Sequence, residues 1–216
     1  MRIKNQLSKT VSEANLLVLF YELEIKKSTK EILTCMDEVT QDLANRYELS
    51  DIAKIEAIKN TREAYKTLGK SPSSYRNAAE AMLRRVVKGN GLYHINNVVD
   101  LQNIISVKTA FSIGSYDLEH LQGDIIWQAA KKGEHYQGIG KENIDIAGLP
   151  TLYDDLGAFG NPTSDSQRAM ITKGKHKIMT VVYSFSGTGS LAAAGSEYEE
   201  LLEKFCGVRL SDQQII

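Results

Sequence analysis

Residues 71–123 read SPSSYRNAAEAMLRRVVKGNG (71–91), LYHINNVVDLQNIISVKTAF (92–111) and SIGSYDLEHLQG (112–123). Here Asn96, Asn97, Asp100, Asn103, Ser112 and Asp117 interrupt the apolar runs at irregular intervals. A helix or strand that only lines a core keeps its polar residues in phase on the wet face, so the interruption predicts a site. Ser73 and Ser74 are placed to cap a helix that runs to about residue 88 and stops at Gly89 and Gly91, with Ala78, Ala79, Met82 and Val86 inward. Arg76, Arg84, Arg85 and Lys88 gather on its polar side and last turn. A short helix over about 98–107 follows, and a turn around Gly114 leads into YDLEHLQG.

Outward from this stretch the signals are simpler. Residues 16–25 (LLVLFYELEI) read as a strand buried early and half exposed late. A helix over 29–47 carries the stripe Ile32, Met36, Val39, Leu43, and another from Ser50 carries Ile52, Ile55, Ile58, Tyr65 and ends at Gly69. Downstream come strands at 124–130, 136–139, 151–154 and 177–185, an acidic helix over 191–205, and VRL (208–210) as an edge strand. Helices and strands are segregated more than alternated, which favours an α+β fold, in one domain over 1–216.

The chain has 216 residues, 42% hydrophobic and 25% charged, proportions of an ordinary globular protein that exclude disordered and coiled-coil classes. Its longest apolar run, 16–20, is far too short to span a bilayer, and 1–15 show no secretion signal. A cytoplasmic protein without membrane partners is expected. Cys35 and Cys206 stand in no metal or redox spacing and read as buried thiols. A net charge of −1 gives no global pull on phosphate, so nucleic-acid binding must rest on a local basic patch.

Each candidate for chemistry has a simpler competitor. GTGSLA (187–192) fits a loose dinucleotide fingerprint, but too little chain follows to complete a nucleotide-binding sheet, so a turn before a helix is preferred and no cofactor is expected. Histidines 94, 120, 135 and 176 show no ligand spacing, so no metal is expected; His94 alone adjoins the polar cluster as a general-base candidate. Asp154 and Asp155, adjacent at a strand end, read as a turn, while the polar loop 161–168, with Asp165, is long enough to line a pocket. The basic group Arg76, Arg84, Arg85 and Lys88 suits phosphate or, equally, a solvated helix end favoured by the helix dipole. Asp100 and Asp117 read as structural acceptors of backbone N–H groups.

INNVVDLQN (95–103) and SIGSYDLEHLQGDIIWQAAKKGE (112–134) resemble the tRNA-binding and editing module of the bacterial phenylalanyl-tRNA synthetase beta subunit, where INNVVD is followed by FDLDKL.G.I..R.A..GE. Residues 71–92 and 164–182 are similar to the SPSSYR...E.LLRRV.KG.GL and SD...IT......VV blocks of free-standing single-domain relatives of that module. The resemblance is strongest over 68–185. It implies an α+β fold with an N-terminal strand and helices and a mixed, mostly antiparallel sheet. It also implies tRNA as partner, and hydrolysis of a mischarged aminoacyl-tRNA by a pocket that recognises the wrong amino acid's hydroxyl. Such an activated ester needs mainly a positioned water and oxyanion donors. By this resemblance Asn103 matches the pocket asparagine, Gln102 stands for its threonine, Gly114 for its histidine, and Asp165 is nearest to its later acidic residue. Glycine at 114 is expected to enlarge the pocket.

The sequence therefore predicts a protein that binds tRNA or a related RNA, DNA not being expected. Arg76, Arg84, Arg85 and Lys88 are the phosphate side, and Asn96, Asn97, Asn103, Ser112, Gly114 and Asp165 the pocket. Hydrolysis in trans of a mischarged aminoacyl-tRNA is its leading specific role. The alternatives are a non-catalytic RNA-binding module and a small-molecule or amino-acid binder. No amino-acid-activating module is present, so a complete synthetase is not expected. A homo-oligomer is compatible with the sequence.

Overall fold

A computed structural model describes residues 1–140 and 143–216. In chain order the elements are β1 (Ile3–Asn5), β2 (Asn15–Ile25), α1 (Lys30–Arg46), α2 (Glu56–Thr67), α3 (Ala78–Val87), α4 (Asn97–Thr109), β3 (Ser112–Asp117), β4 (Ile125–Ala129), β5 (His135–Gln137), β6 (Asn143–Asp145), β7 (Pro150–Asp154), β8 (Gly157–Gly160), β9 (Gly174–Ser184), α5 (Leu191–Cys206) and β10 (Asp212–Ile215). The fold is α+β with mostly antiparallel pairing. One sheet has the order β10-β2-β9-β3, a second β1-β4-β7-β8, and β5 pairs with β6. Among these pairs only β1 and β4 run parallel.

The long pair β2 and β9, in register from Asn15↔Ser184 to Ile25↔Gly174, organises both cores. On one face of β2, Leu17, Leu19, Tyr21, Leu23 and Ile25 pack under the helices with Ile32 and Met36 of α1, Leu83 of α3, Leu101 and Ile105 of α4, and Leu202 of α5. On the other, Leu16 and Val18 pack with Ile125, Trp127, Leu152 and Phe159 of the second sheet. A strand covered on both faces needs apolar residues at consecutive positions, hence LLVL. Past the second sheet, Glu22 and Glu24 turn to solvent and the alternation appears. Each fully buried aliphatic side chain here contributes roughly 1.5–3 kcal/mol.

The helix α4 lies inside the molecule: Asn97, Val98, Asp100, Leu101, Gln102, Ile104, Ile105, Ser106 and Val107 are all buried. A helix enclosed over most of its surface shows no single apolar stripe, and its buried polar side chains must find partners within the protein. The Asn97 Oδ1 accepts the Lys26 N–H at 2.9 Å and its Nδ2 donates to the Glu24 carbonyl at 3.0 Å, so the amide continues the β-ladder beyond the end of β2. Asp100 accepts from the Ile95 N–H at 2.9 Å and the Ser28 hydroxyl at 2.6 Å. The Ser106 hydroxyl donates to the Phe111 carbonyl. Ser115 donates to Gln102 at 2.6 Å. Because each hydroxyl has one proton to give, the contacts Ser115–Thr180, Thr180–Tyr21 and Tyr21–Tyr198 then run in one direction, from Tyr198 to Gln102.

The structure departs from the sequence reading in where α2 begins, at Glu56 behind a 3-10 turn Ile52–Lys54 and not at Ser50, and at three further places. First, α3 starts at Ala78, where Asn77 rather than Ser73 or Ser74 caps it by accepting the Glu80 N–H at 2.9 Å. The later start turns Ala79, Glu80, Leu83 and Val86 inward, leaving Ala78 and Met82 half-buried. Second, residues 112–117 form not a turn but β3, buried at all six positions and paired with β9. Third, the edge strand is β10, antiparallel to β2, and not VRL. Cys35 and Cys206 are free and half-buried. No helix among the described residues is long and apolar enough to cross a membrane.

If the Asn97 amide braces the end of β2, Asn97→Ala will lower unfolding stability by about 2 kcal/mol, the cost of leaving two backbone groups unpaired. Asn103→Ala, on the same helix but half-buried and without a hydrogen-bond partner among the described residues, will change it by less than about 0.5 kcal/mol. Urea denaturation of the two variants checks this; equal losses would contradict it.

Candidate functional site

The cations of α3 surround a buried acid. Glu80 has a side chain with no solvent exposure, and both of its oxygens lie 3.1 Å from the Arg62 Nη1 of α2. Its Oε1 also accepts from the Arg84 Nε at 2.9 Å, and the Arg76 Nε stands 3.5 Å away. A buried carboxylate is tolerated only when paired and fully hydrogen-bonded, and three guanidiniums meet that demand. Arg76 and Arg84, predicted as phosphate contacts, are therefore partly engaged inside the protein. Two other cations at this end are differently placed. The Arg85 guanidinium lies 4.0 Å from the centre of the Tyr93 ring and donates to its hydroxyl at 3.2 Å, while Lys88 is exposed at the C-cap. Tyr93 and Ile95 beyond it are 65% and 58% exposed, so an aromatic and an aliphatic side chain stand in water beside free positive charge. Sequence reading passed over Tyr93; an aromatic just beyond the glycines that end a basic helix was the available signal.

The six residues predicted to form a pocket do not line one hollow. Asn96 caps α4, its Oδ1 accepting from the N–H groups of Val98 and Val99 at 3.1 and 2.9 Å. Asn97 is committed to β2, and Ser112 donates to the Asn77 Oδ1 while accepting the Ala79 N–H, both at 3.3 Å. Asn97 meets β2 at Glu24 and Lys26, whereas Gly114 pairs with Val181 opposite Val18. Six or more strand residues, about 20 Å at 3.4 Å per residue, separate the two ends. A cavity of about 300 Å³ touches Asn97 and Cys206 outside the end of the sheet, and one of about 630 Å³ lies between α1 and α5 beside Cys35. Neither is lined by Gly114 or Asp165.

Gly114 and Asp165 do come together, between the two sheets. A side chain at Gly114 would overlap the Tyr116 hydroxyl and approach the Asp165 Oδ2 to 2.9 Å, and one at Gly160 would meet the same phenol. Glycine at 114 thus makes room for Tyr116 and does not enlarge a pocket, which corrects the sequence expectation. Tyr116 donates to the Asp165 Oδ1 at 2.6 Å, which leaves Tyr183 as the donor in its 2.6 Å contact with Tyr116. Phe159 meets the Tyr116 ring edge-on, with centroids 5.0 Å apart. The loop after β8 closes over this cluster: the Asn161 Oδ1 accepts from the N–H groups of Thr163 and Ser164, its Nδ2 donates to the Tyr136 hydroxyl, and Tyr136 donates to the Ser164 carbonyl. Burial pushes the Asp165 carboxyl up to about 7, against the opposing pull of the Tyr116 hydroxyl and the Asn161 backbone. Burial likewise holds the Tyr116 and Tyr183 phenols well above their ordinary range.

Elsewhere, Asp154 accepts the N–H groups of Gln122 and Leu156 and a bidentate pair from Arg168 at 2.8 and 3.1 Å, which makes it part of a pinned turn. Gly187 adopts positive φ ahead of α5, and its carbonyl accepts from Ser184, as a turn before a helix requires. His94 is exposed. Among the described residues one group has donor atoms close enough to share a metal ion: Asp117, Glu119 and His176.

Residues 60–205, more than half of the chain, match the family model described as B3/4 domain. The chain belongs to the B3/4 domain family. That domain is part of the phenylalanyl-tRNA synthetase beta subunit, the same relationship that residues 68–185 carry in their motifs. A solved N-terminal fragment of the phenylalanyl-tRNA synthetase beta subunit from Pyrococcus horikoshii is similar at 12% identity with a TM-score of 0.47, covering all of this B3/4 chain and 53% of the fragment. The chain thus spans about half the length of that structure. No curated protein matches it.

The raised pKa of Asp165 sets a direction for its contribution to stability against pH. The folded protein retains a proton that an ordinary carboxyl releases near 3.8, so the contribution of Asp165 to stability is full below about pH 4, falls as pH rises toward 7, and is level above. Thermal unfolding of Asp165→Asn will lack this decline relative to the parent; a parallel profile would contradict the assignment.

Proposed function

We propose that this B3/4-family protein binds tRNA or a related RNA without hydrolysing it. The surface assigned to RNA is the C-terminal turn of α3 with the segment that follows. Lys88 and Arg85 face phosphate, Arg76 adds a partly engaged charge, and Tyr93 offers a stacking surface. The observation that carries the reading is the Arg85–Tyr93 stack beside exposed Lys88 and Ile95, because a cation with an exposed aromatic is the pairing that holds unpaired nucleotides. Against catalysis stands the Tyr116 phenol, which fills the place where the family resemblance puts the esterified amino acid. A cytoplasmic location accords with a tRNA partner.

Hydrolysis in trans is the second reading. It is favoured by one feature, the Asp165 carboxyl, whose proton affinity near 7 suits a general base were Tyr116 to swing away and admit substrate.

Binding of uncharged tRNA, followed by fluorescence anisotropy across a salt series, is expected to weaken linearly in log–log form by about 0.7–0.9 per phosphate contact. The double substitution Arg85→Glu, Lys88→Glu will weaken it at least tenfold and flatten the slope, whereas Tyr93→Ala will weaken it with the slope unchanged. Salt-independent retention would defeat the RNA reading. In a panel of mischarged tRNAs no release of amino acid is expected; release that Asp165→Asn abolishes would establish the second reading instead.

A further inference from the structure

The end of β3 carries a buried acid whose second oxygen has no hydrogen-bond donor. Asp117 has no side-chain exposure. Its Oδ1 accepts the Glu119 N–H at 3.0 Å and thereby caps the short 3-10 turn Leu118–His120. That bond fixes the carboxylate. The Oδ2 lies 2.7 Å from the Nδ1 of His176 on the neighbouring strand β9, yet both atoms are buried and neither has a hydrogen bond. At 2.7 Å an aligned N–H would make a strong bond; its absence means that the ring's N–H direction misses the oxygen. With the ring proton on Nε2, Nδ1 presents a lone pair, and two electron-rich atoms then face one space at close range. The Glu119 carboxylate has an oxygen within 4.8 Å of both, and the Nδ1 of His120 is 3.9 Å from the Asp117 Oδ2. Leaving a carboxylate oxygen dry and unpaired costs several kcal/mol in real proteins, and an ion of opposite charge at the common point removes that cost.

The geometry points to a divalent metal site formed by Asp117 Oδ2, His176 Nδ1 and a carboxylate oxygen of Glu119. Imidazole with carboxylate suits zinc among the common divalent ions, whereas magnesium and calcium prefer oxygen alone. Metal–ligand distances of about 2.0–2.2 Å in a tetrahedral site separate donors by about 3.3 Å, so Asp117 and His176 would part by about half an ångström on binding. The ligands come from two hydrogen-bonded strands and the turn between β3 and β4, so the ion would pin the outer end of the β3–β9 ladder. Arg168 supports the same corner by donating to the His120 carbonyl at 3.0 Å. Sequence spacing gave no hint of this set, since His176 is brought to Asp117 only by the pairing of β3 with β9. The site is independent of the RNA surface and of the seam at Asp165.

The test uses the full chain, stripped with chelator and titrated with Zn²⁺ by calorimetry, with Co²⁺ absorption as a second readout. One equivalent is expected to bind with a dissociation constant in the micromolar range or below, to raise the melting temperature, and to give visible Co²⁺ bands showing nitrogen and oxygen ligation. Glu119→Gln, at an exposed position, will weaken binding at least tenfold while keeping the parent's metal-free melting profile, and His176→Gln will weaken it at least as much. Absence of stoichiometric binding, or binding left intact in both variants, would overturn the proposal.

Discussion

The pairing of β2 with β9, covered by helices on one side and by a second sheet on the other, is the constraint from which the rest follows. A sheet dry on both faces can hold polar groups only if each finds a partner without water, because an unpaired buried donor or acceptor costs more than a typical hydrogen bond returns. The one-way hydroxyl relay from Tyr198 to Gln102 and the Tyr183–Tyr116–Asp165 chain are answers to that demand on opposite faces. Both pass through β9, at Thr180 and Tyr183. The inner helix α4 answers it with capping and bracing amides.

This explains why the polar density of residues 71–123 suggested a binding hollow. The same residue types serve a ligand pocket and a buried helix, since both need directional groups in a dry place. Asn96, Asn97, Asp100 and Gln102 satisfy neighbouring backbone and hydroxyls, and Glu80 binds the arginines that seemed free. What remains outward is smaller: Arg85, Lys88, Tyr93 and Ile95. Membership of the B3/4 family relates the chain to a synthetase subunit, and Tyr116 fills the space beside Gly114.

The elements with clean periodicity were legible. The strand at 16–25, the helices near 29–47 and 191–205 and the strand at 177–185 appear within a few residues as β2, α1, α5 and β9. Their patterns record burial on one face or two. β3 was not legible, because SIGSYD has one strong apolar residue and a glycine, and its strand state comes from β9 and from Tyr116 folding back over Gly114. Strands of three or four residues such as β1, β6 and β8 left no signal for the same reason: their pairing partners, not their own residues, hold them.

By itself the sequence determined the α+β class, the family motifs, the main helices and the position of the basic helix end, since each is written in local spacing or in a contiguous run of residues. Tertiary structure alone decided which polar groups face inward, that Glu80 takes up Arg62, Arg76 and Arg84, that Tyr116 occupies the space above Gly114, and that His176 meets Asp117. Apart from the i,i+4 pairs of Glu80 with Arg76 and Arg84, those are contacts between residues 18 to 59 positions apart in the chain, or between a side chain and a volume. The free energy of such a contact depends on strand register and on the exclusion of water, neither of which local sequence encodes.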